Sequence, residues 1–204
     1  WKHADRVMKE ALDEVGLTYT EALGEAAFYG PKLDIQARNA NGKEDTLFTA
    51  QIDFLLPEKF NIEYTDSDGS KKRPVMIHRS AIGSLERTFA FLIEHFAGAF
   101  PVWLSPVQVS ILPIGEKFEA YGTKVFDALR AAGVRVEMNE ANESLGKRIR
   151  EAEMMKIPYI VVVGEKEEGE GTVSVRMRGS RDQMTMKIEE FTAKIGKEIK
   201  ERTI

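Results

Sequence analysis

The sequence contains no cysteine among its 204 residues. Disulfide bonds are therefore excluded, and so is a thiolate acting as nucleophile or metal ligand within this chain. No apolar run approaches the roughly 20 residues that a membrane-spanning helix needs. The opening residues 1–6 lack the pattern of a secretory signal, and neither common glycine-rich phosphate loop is present. We expect a globular protein of a reducing compartment, the cytoplasm, with no membrane partner.

An excess of positive charge is also absent, since the formal net charge is −4. The negative excess lies before residue 105, and the remainder of the chain is neutral. Any nucleic acid must therefore be bound by a local basic patch. The composition, 43% hydrophobic and 30% charged, is typical of a globular protein with a real core. The chain does not begin with Met and a helical pattern starts at once, so we expect a piece of a longer protein.

The first half of the chain combines strand patterns with two helical ones. Apolar residues recur at helical spacing over residues 2–15, and Gly16 ends the pattern. A second amphipathic helix is predicted from Gly83 to Phe96. Four strands are predicted between the helices, around turns at 39–42 and 66–70: 32–38, 46–54, 61–65 and 73–78. We expect this half to be the remainder of an antiparallel sheet with helices.

A domain boundary is predicted near Pro101 and Pro106, which interrupt an extended stretch. Beyond it strands and helices alternate, which is typical of crossover connections. The predicted strands are 107–114, 134–138, 157–163 and 172–178, and the predicted helices are 116–132, 145–156 and 187–202. We therefore expect an α/β and α+β protein. Residues 1–104 form its first domain, and residues 105–204 form an α/β domain with a mostly parallel, mixed sheet flanked by helices.

The densest cluster of chemically active residues spans 73–87, where a strand, a short turn and a helix start follow one another. Glu86 suits the first turn of that helix because its charge complements the positive end of the helix dipole. Arg87 in the same turn opposes the dipole, which makes sense where it faces a bound polyphosphate. On these residues alone, a surface arginine paired with a nearby carboxylate is an equally good interpretation.

The stretches 76–79, Met-Ile-His-Arg, and 83–87, Gly-Ser-Leu-Glu-Arg, resemble motif 3 of the class II aminoacyl-tRNA synthetases in its threonyl form. The resemblance implies that Arg87 is catalytic and grips the terminal phosphate of ATP, which Mg²⁺ accompanies. It also implies that Gly83 and Ser84 belong to the ATP and threonine site, where Gly83 lets the backbone approach the adenosine.

His78 stands at the end of a predicted strand, where a lone histidine is more often structural than a ligand. The resemblance to threonyl-tRNA synthetases implies instead that His78 is one of three ligands of a Zn²⁺ ion in the active site. The other two, a cysteine and a histidine, are then expected upstream of this chain, since His3 and His95 lie on predicted helices without a plausible partner. In that family the zinc binds the amino group and hydroxyl of threonine, which rejects valine because valine lacks the hydroxyl.

Two more stretches resemble the same family. Residues 27–34, Ala-Phe-Tyr-Gly-Pro-Lys-Leu-Asp, imply that Tyr29 and Lys32 line the pocket for threonine and ATP. Residues 51–54, Gln-Ile-Asp-Phe, imply that Gln51 lies within hydrogen-bond reach of the substrate. Taken alone, the first stretch could also be an ordinary turn.

The chain departs from the family pattern just before Gln51. Thr46 stands where a second pocket glutamine is expected, and the bulky Phe48 replaces a glycine. The contacts to adenosine or threonine are therefore expected to differ at these positions, whereas the zinc argument, which depends on His78, is unaffected.

The second half resembles the anticodon-binding domain shared by the threonyl, prolyl, histidyl and glycyl synthetases. The resemblance implies that four residues read the bases of the anticodon: Asn142, Lys156, Glu167 and Arg176. Amide, carboxylate and guanidinium groups can each form hydrogen bonds to the edges of unpaired bases. In isolation, each of these positions is more simply a solvated charged edge. The chain departs from the family pattern here, since Met155 and Lys156 stand where the family often has two arginines.

A helix start is predicted after Asn142, with Asn142 or Ser144 as its cap. The first turns of this helix are expected to expose three basic side chains: Lys147, Arg148 and Arg150. These side chains are the local positive charge that an RNA surface needs.

The resemblance as a whole implies a threonine–tRNA ligase, which activates threonine with ATP and transfers it to the 3′ end of tRNA(Thr). The full-length enzyme is expected to be a homodimer, and this chain alone is expected to be inactive because other catalytic motifs lie upstream. Two alternatives stay open: another synthetase of the same subclass, such as the prolyl enzyme, and a non-catalytic paralogue that only binds tRNA. A generic nucleotide-binding α/β protein is disfavoured by the missing phosphate loops.

Overall fold

A computed structural model describes residues 1–180 and 182–204, which fold into two compact units, Trp1–His95 and Phe96–Ile204. The domain boundary predicted at 104/105 lies within the second of these units. No helix in the described part of the chain is long and apolar enough to cross a membrane.

The first unit is built on a three-stranded antiparallel sheet with the order β1-β2-β5. The predicted first helix is confirmed, and it ends at Gly16, whose φ of 72° is readily adopted by glycine. The elements of this unit are α1 (Lys2–Val15), β1 (Lys32–Arg38), β2 (Glu44–Asp53), α2 (Leu56–Lys59), β3 (Tyr64–Thr65), β4 (Lys71–Lys72), β5 (Met76–Arg79) and α3 (Leu85–Phe96).

One predicted pairing in the first unit is wrong. The turn at 66–70 joins only the short strands β3 and β4, which pair through Tyr64 with Lys72 and Thr65 with Lys71. The residues after Pro74 do not continue this hairpin, and β5 pairs with β2 instead. Pro74 explains the break because proline has no backbone N–H with which to extend a ladder.

The sheet of the first unit has one mainly polar face and one mainly apolar face, because side chains alternate along each strand. The strand register assigns one face the side chains of Lys32, Asp34, Gln36, Thr46, Thr49, Gln51, Asp53 and His78. It assigns the other face those of Leu33, Ile35, Phe48, Ala50, Ile52 and Ile77. The exceptions are Met76 on the polar face, opposite Asp53, and Asp45 and Arg79 on the apolar face. A sheet face that carries charged and amide side chains in this density is suited to binding a polar ligand.

A β-bulge interrupts the register of β1 and β2. Ile35 lies opposite Phe48, whereas Gln36 lies opposite Thr46, which leaves Leu47 as the extra residue. Because of this insertion, Thr46 joins the polar face and Phe48 stays on the apolar face.

The second unit is a five-stranded sheet with the order β10-β9-β8-β6-β7. The strands β7, β6 and β8 are parallel, and β9 and β10 continue the sheet in antiparallel fashion. The elements are β6 (Val109–Pro113), a 3₁₀ turn (Glu116–Phe118), α4 (Glu119–Ala131), β7 (Val136–Met138), α5 (Leu145–Met154), β8 (Tyr159–Val163), α6 (Glu165–Glu170), β9 (Thr172–Met177), β10 (Gln183–Lys187) and α7 (Ile188–Glu201). The expected mixed sheet flanked by helices is confirmed.

Almost the whole apolar core of the described residues lies in the second unit. One cluster joins α4 and α7 to the sheet and includes Leu129, Tyr159 and Phe191. A second cluster includes Leu112 and Ile160 and packs α5 against the same sheet. The sheet is therefore covered on both faces, as expected for parallel strands joined by helical crossovers.

Candidate active site and RNA-binding surface

Three of the predicted site residues form a row across the polar face of the first unit. Lys32 of β1 lies directly opposite Gln51 of β2, and Gln51 lies directly opposite His78 of β5. Cross-strand partners point to the same side of a sheet, with Cβ atoms about 4.5–5.5 Å apart. The row therefore places an ammonium, an amide and an imidazole next to one another.

Tyr29, which precedes β1, joins this row from the side. Its hydroxyl donates a hydrogen bond to Gln51 Oε1 at 2.6 Å, and its ring lies edge-on to the His78 ring with the centroids 6.0 Å apart. Four predicted site residues are thus brought together: Tyr29, Lys32, Gln51 and His78.

Asp34 balances the charge of Lys32 within the polar face. Its carboxylate accepts from Lys32 Nζ at 2.5 Å and from Thr49 Oγ1 at 2.6 Å. Partial burial acts to raise the pKa of Asp34, but the hydrogen bonds from Lys32 and Thr49 outweigh it, and the pKa lies below its usual value. Lys32 is therefore held by a carboxylate instead of extending into solvent.

His78 is held by Asp53, whose side chain is completely buried. The distance from His78 Nε2 to Asp53 Oδ2 is 2.8 Å, and Asp53 Oδ1 accepts from the backbone N–H groups of Leu55 at 3.0 Å and Leu56 at 2.9 Å. Burial acts to raise the pKa of Asp53, but the hydrogen bonds from Leu56, His78 and Leu55 outweigh it, so this pKa lies below its usual value. The carboxylate is consequently charged and acts only as an acceptor.

The surroundings of His78 suit a single zinc ligand. Its side chain is 40% exposed, and a carboxylate on one ring nitrogen is the usual partner of a metal-binding histidine. No group of three or more potential metal ligands exists among the described residues. Since a catalytic zinc site normally takes three protein ligands, His78 can supply only part of one.

Gly83 lies against the β-bulge. A Cβ atom at this position would be 2.0 Å from the carbonyl oxygen of Leu47, and the φ of 69° also favours glycine. The Gly83 N–H donates to Ser80 Oγ at 2.7 Å, which fixes the turn before α3. Gly83 therefore allows the turn before α3 to pack closely against the backbone of β2 at Leu47, at the edge of the polar face.

Ser84 immediately precedes α3, and Arg87 projects from the first turn of that helix. The Ser84 hydroxyl accepts from the Arg87 N–H at 3.3 Å and donates to Glu86 Oε2 at 3.0 Å. Glu86 also accepts a hydrogen bond from its own backbone N–H, and these bonds lower its pKa. Ser84 thus caps the helix, and Glu86 stabilises its positive end as predicted.

The exposed side chain of Arg87 reaches back to the bulge, where Nη1 donates to the carbonyl oxygen of Thr46 at 3.2 Å. No carboxylate pairs with Arg87 within residues 1–180 and 182–204. The guanidinium therefore keeps donors available beside the polar face. Gly83, Ser84 and Arg87 gather at the opposite end of β2 from Gln51.

The two departures from the family pattern fall on different faces of the sheet. Thr46 lies on the polar face, where its hydroxyl donates to Gln36 Oε1 at 3.1 Å. Phe48 lies opposite Ile35 on the apolar face. Of these two positions, only Thr46 lies on the face that carries the row of candidate ligand-binding residues.

In the second unit, Asn142 is exposed in the loop between β7 and α5. The cap of α5 is Ser144, whose hydroxyl accepts from the Lys147 N–H at 3.4 Å, so the alternative cap Asn142 is excluded. The prediction that Arg148 is exposed is wrong. Its side chain is buried, and it donates to the carbonyl oxygens of Glu143 at 3.1 Å and Pro113 at 2.8 Å.

The other three predicted anticodon residues lie on separate elements. Glu167 of α6 accepts from the Gly164 N–H at 3.0 Å, just after β8 ends. Arg176 of β9 lies opposite Ile160, and its Nη2 is 3.4 Å from Glu153 Oε1 of α5.

Lys156 follows α5 in a left-handed conformation, with φ of 57°, and donates to the carbonyl oxygen of Ala97. In the described part of the chain, no hydrogen bond or ion pair joins any two of the four residues Asn142, Lys156, Glu167 and Arg176.

Two arginines whose role was not predicted from the sequence bind the backbone of the segment 97–105. Arg178 donates to the carbonyl oxygens of Ala99 at 3.0 Å and Phe100 at 2.8 Å. Arg135 donates to those of Trp103 at 2.9 Å and Ser105 at 2.7 Å. Their role is to satisfy backbone acceptors, and nothing in the local sequence distinguishes them from surface arginines.

Asp53 was also missed, although the sequence holds a signal for it. Asp53 lies two residues before Leu55 and three before Leu56, where the short helix α2 begins. An aspartate just before a helix typically accepts hydrogen bonds from the first free backbone N–H groups, as Asp53 does here. Its partnership with His78 had no such signal because 25 positions separate the two residues.

Comparison with known proteins defines the class of each unit. A family model described as "tRNA synthetase class II core domain (G, H, P, S and T)" matches residues 1–96, and one described as "Anticodon binding domain" matches residues 108–198. The chain thus combines part of a class II aminoacyl-tRNA synthetase core with an anticodon-binding domain.

The individual relatives narrow this class. A "Threonine--tRNA ligase" of Clostridium botulinum is 53% identical over 98% of this chain, and one of Geobacillus kaustophilus is 50% identical over 99%. The solved "RNA binding domain of Threonyl-tRNA synthetase" of Cryptosporidium parvum is 36% identical, with a TM-score of 0.84, over 97% of this chain and 50% of that one. The chain belongs to the threonyl-tRNA synthetase family. It spans 31% of the length of the two curated relatives.

Proposed function

We propose that this chain is part of a threonine–tRNA ligase, which activates threonine with ATP and transfers it to the 3′ end of its tRNA. The observation that carries the proposal is the in-register row of Lys32, Gln51 and His78, joined by Tyr29, on a polar sheet face. This face belongs to a unit that matches a class II synthetase core. The choice of threonine as the amino acid follows from relatives that are at least 50% identical and are named threonine–tRNA ligases.

Arg87 is proposed to bind the terminal phosphate of ATP. It lies at the start of α3, its guanidinium is exposed beside the polar face, and no described carboxylate neutralises it. A planar guanidinium with free donors binds phosphate oxygens well, and Mg²⁺ is expected to share the negative charge. Activation forms threonyl-adenylate when a threonine carboxylate oxygen attacks the α-phosphorus of ATP. The bond from that phosphorus to the α,β-bridging oxygen breaks and pyrophosphate leaves, a step that depends mainly on positioning and charge neutralisation.

His78 is proposed to hold a zinc ion together with two ligands from outside this chain. When bound, the zinc would accept the amino group and the side-chain hydroxyl of threonine as ligands. Discrimination against valine follows, since a site that must bind a hydroxyl strongly rejects an analogue that lacks it. Tyr29 and Gln51 lie beside His78 and are proposed to orient the substrate with hydrogen bonds.

The second unit is proposed to bind the anticodon loop of the tRNA. Asn142, Lys156, Glu167 and Arg176 carry amide, ammonium, carboxylate and guanidinium groups that suit the edges of unpaired bases. Arg176 is our first choice among them because it lies on a rigid strand and its present contact with Glu153, at 3.4 Å, is easily exchanged.

The proposed function is tested by amino-acid-dependent ATP–pyrophosphate exchange with the full-length protein. Threonine should support strong exchange, serine weaker exchange, and valine and proline none, whereas the 204-residue chain alone should be inactive. Exchange with proline would favour the prolyl alternative. A folded full-length protein that exchanges with no amino acid, but still binds tRNA, would favour a non-catalytic paralogue.

A further inference from the structure

The carboxylate of Asp53 makes two separable sets of contacts. Oδ1 accepts from the N–H groups of Leu55 and Leu56, which fixes the backbone turn before α2. Oδ2 lies 2.8 Å from His78 Nε2 and serves the imidazole alone. Because the carboxylate is fully buried and held by the turn, it offers His78 a fixed acceptor.

The fixed acceptor determines which nitrogen of His78 carries the proton. A carboxylate can only accept, so the ring nitrogen that faces it must be an N–H. In neutral imidazole the other nitrogen, Nδ1, then has a free lone pair. Nδ1 has no hydrogen-bond partner within the described ranges of the chain, and the side chain is partly exposed.

We propose that Asp53 is the positioning residue that holds His78 in the tautomer and orientation in which Nδ1 binds the metal ion. This inference rests on the proposed function, in which His78 is a zinc ligand. Outer carboxylates of this kind fix the orientation of a ligating imidazole and make it a better donor. The Tyr29 ring packs edge-on against the His78 ring, with the two centroids 6.0 Å apart, and so restricts rotation of the imidazole from another side.

The substitution Asp53→Asn separates the two roles of Asp53, which are to position His78 and to hold the backbone turn before α2. The asparagine side chain should turn its carbonyl oxygen toward the N–H groups of Leu55 and Leu56, which both donate. The opposite orientation is unfavourable because it would place the amide nitrogen, also a donor, against these two N–H groups. The amide N–H₂ then faces His78 Nε2 and requires Nε2 to accept, which moves the proton to Nδ1. A nitrogen that carries a proton cannot bind zinc, so the variant should fold and yet hold zinc poorly.

The first measurement is a crystal structure of the zinc-loaded full-length enzyme without substitutions. We expect a bond of about 2.0–2.1 Å from zinc to His78 Nδ1, with Nε2 on Asp53. Zinc bound to Nε2, or an Asp53 carboxylate turned away from His78, would overturn the inference whatever the variants do.

The second measurement is zinc affinity of the full-length enzyme by chelator competition, together with the melting temperature of the metal-free protein. Asp53→Asn should weaken zinc binding by about 10- to 100-fold without a change in melting temperature. Asp66→Asn, which alters a carboxylate of the β3–β4 hairpin, is the matched control and should change neither quantity.

His78→Ala should abolish tight zinc binding, and a His78→Ala enzyme that keeps its zinc would refute the zinc part of the proposed function. Loss of zinc in His78→Ala, with unchanged affinity in Asp53→Asn, would refute the positioning role alone.

Discussion

The two units of the chain contain comparable numbers of strands and helices, but they place their apolar side chains differently. In the second unit, large side chains such as Phe191 and Tyr159 are almost completely buried. Among the described residues of the first unit, the buried apolar side chains are only those of Leu12 and two prolines, Pro31 and Pro57. Both units have regular secondary structure, so the contrast lies in packing.

The exposed apolar residues of the first unit form a pattern. Leu85, Phe89 and Ile93 recur every fourth residue along α3 and are 67%, 54% and 45% exposed, and Ile77 on the apolar sheet face is 72% exposed. Such spacing normally marks the face of a helix that packs on a core. An exposed apolar surface of this kind is typical of a face that other protein covers, whereas the second unit covers most of its apolar side chains itself.

The largest expected effect comes from separating the units. Residues 96–204 expressed alone should unfold cooperatively on heating, because their two core clusters lie entirely within that range. Residues 1–95 expressed alone should show no cooperative transition, since they bury too little apolar surface to offset the entropy of folding. Circular dichroism during heating measures both, and a sharp transition for residues 1–95 would break the comparison.

A matched pair of substitutions tests the same difference within the 204-residue chain. Phe191→Ala should destabilise the second unit by about 3–5 kcal/mol, since it empties a buried site against Tyr159. Phe89→Ala should change stability by no more than about 0.5 kcal/mol, because more than half of its side chain is exposed. Denaturant unfolding followed by fluorescence gives both values. Similar losses in the two variants would show that Phe89 is packed in solution.

The smallest expected effect concerns the division of tasks between the units. Arg176→Ala in the full-length enzyme should weaken tRNA binding by about 1–3 kcal/mol and leave threonine activation unchanged, because the residue lies in the second unit. Arg130→Ala, an exposed change of equal charge on α4, is the control and should have little effect on either. Filter binding and pyrophosphate exchange measure the two properties. Equal losses in both assays would contradict an anticodon role for Arg176.

Local patterns predicted most of the elements but fewer of the pairings. The first helix and its end at Gly16, the strand at 32–38 and the helix that ends at Phe96 were all predicted from periodicity and glycine. The partner of Met76–Arg79 was not, because strand pairing depends on residues distant in the chain. The helix α6 was missed since Glu-Lys-Glu-Glu-Gly-Glu has no apolar periodicity to mark it.

The candidate site shows the same limit. The predicted residues Tyr29, Lys32, Gln51 and His78 do meet on one sheet face, although only the register reveals that they form a row. The direction of the Thr46 side chain could not be predicted, since the β-bulge that turns it to the polar face has no sequence signal. Arg148 was assigned to the surface because its charge suggested solvent, whereas three-dimensional packing offered it two carbonyl oxygens.

The contacts of Arg178 also bear on how the chain folds during its synthesis. Its guanidinium binds the carbonyl oxygens of Ala99 and Phe100, which precede it by 79 and 78 positions. At a translation rate of about 5–20 residues per second, roughly 4–16 seconds pass between the emergence of the two ends of this contact. The segment around Ala99 must therefore leave the ribosome long before its permanent partner exists. Its final conformation is acquired late, when the last strands of the second unit have been made.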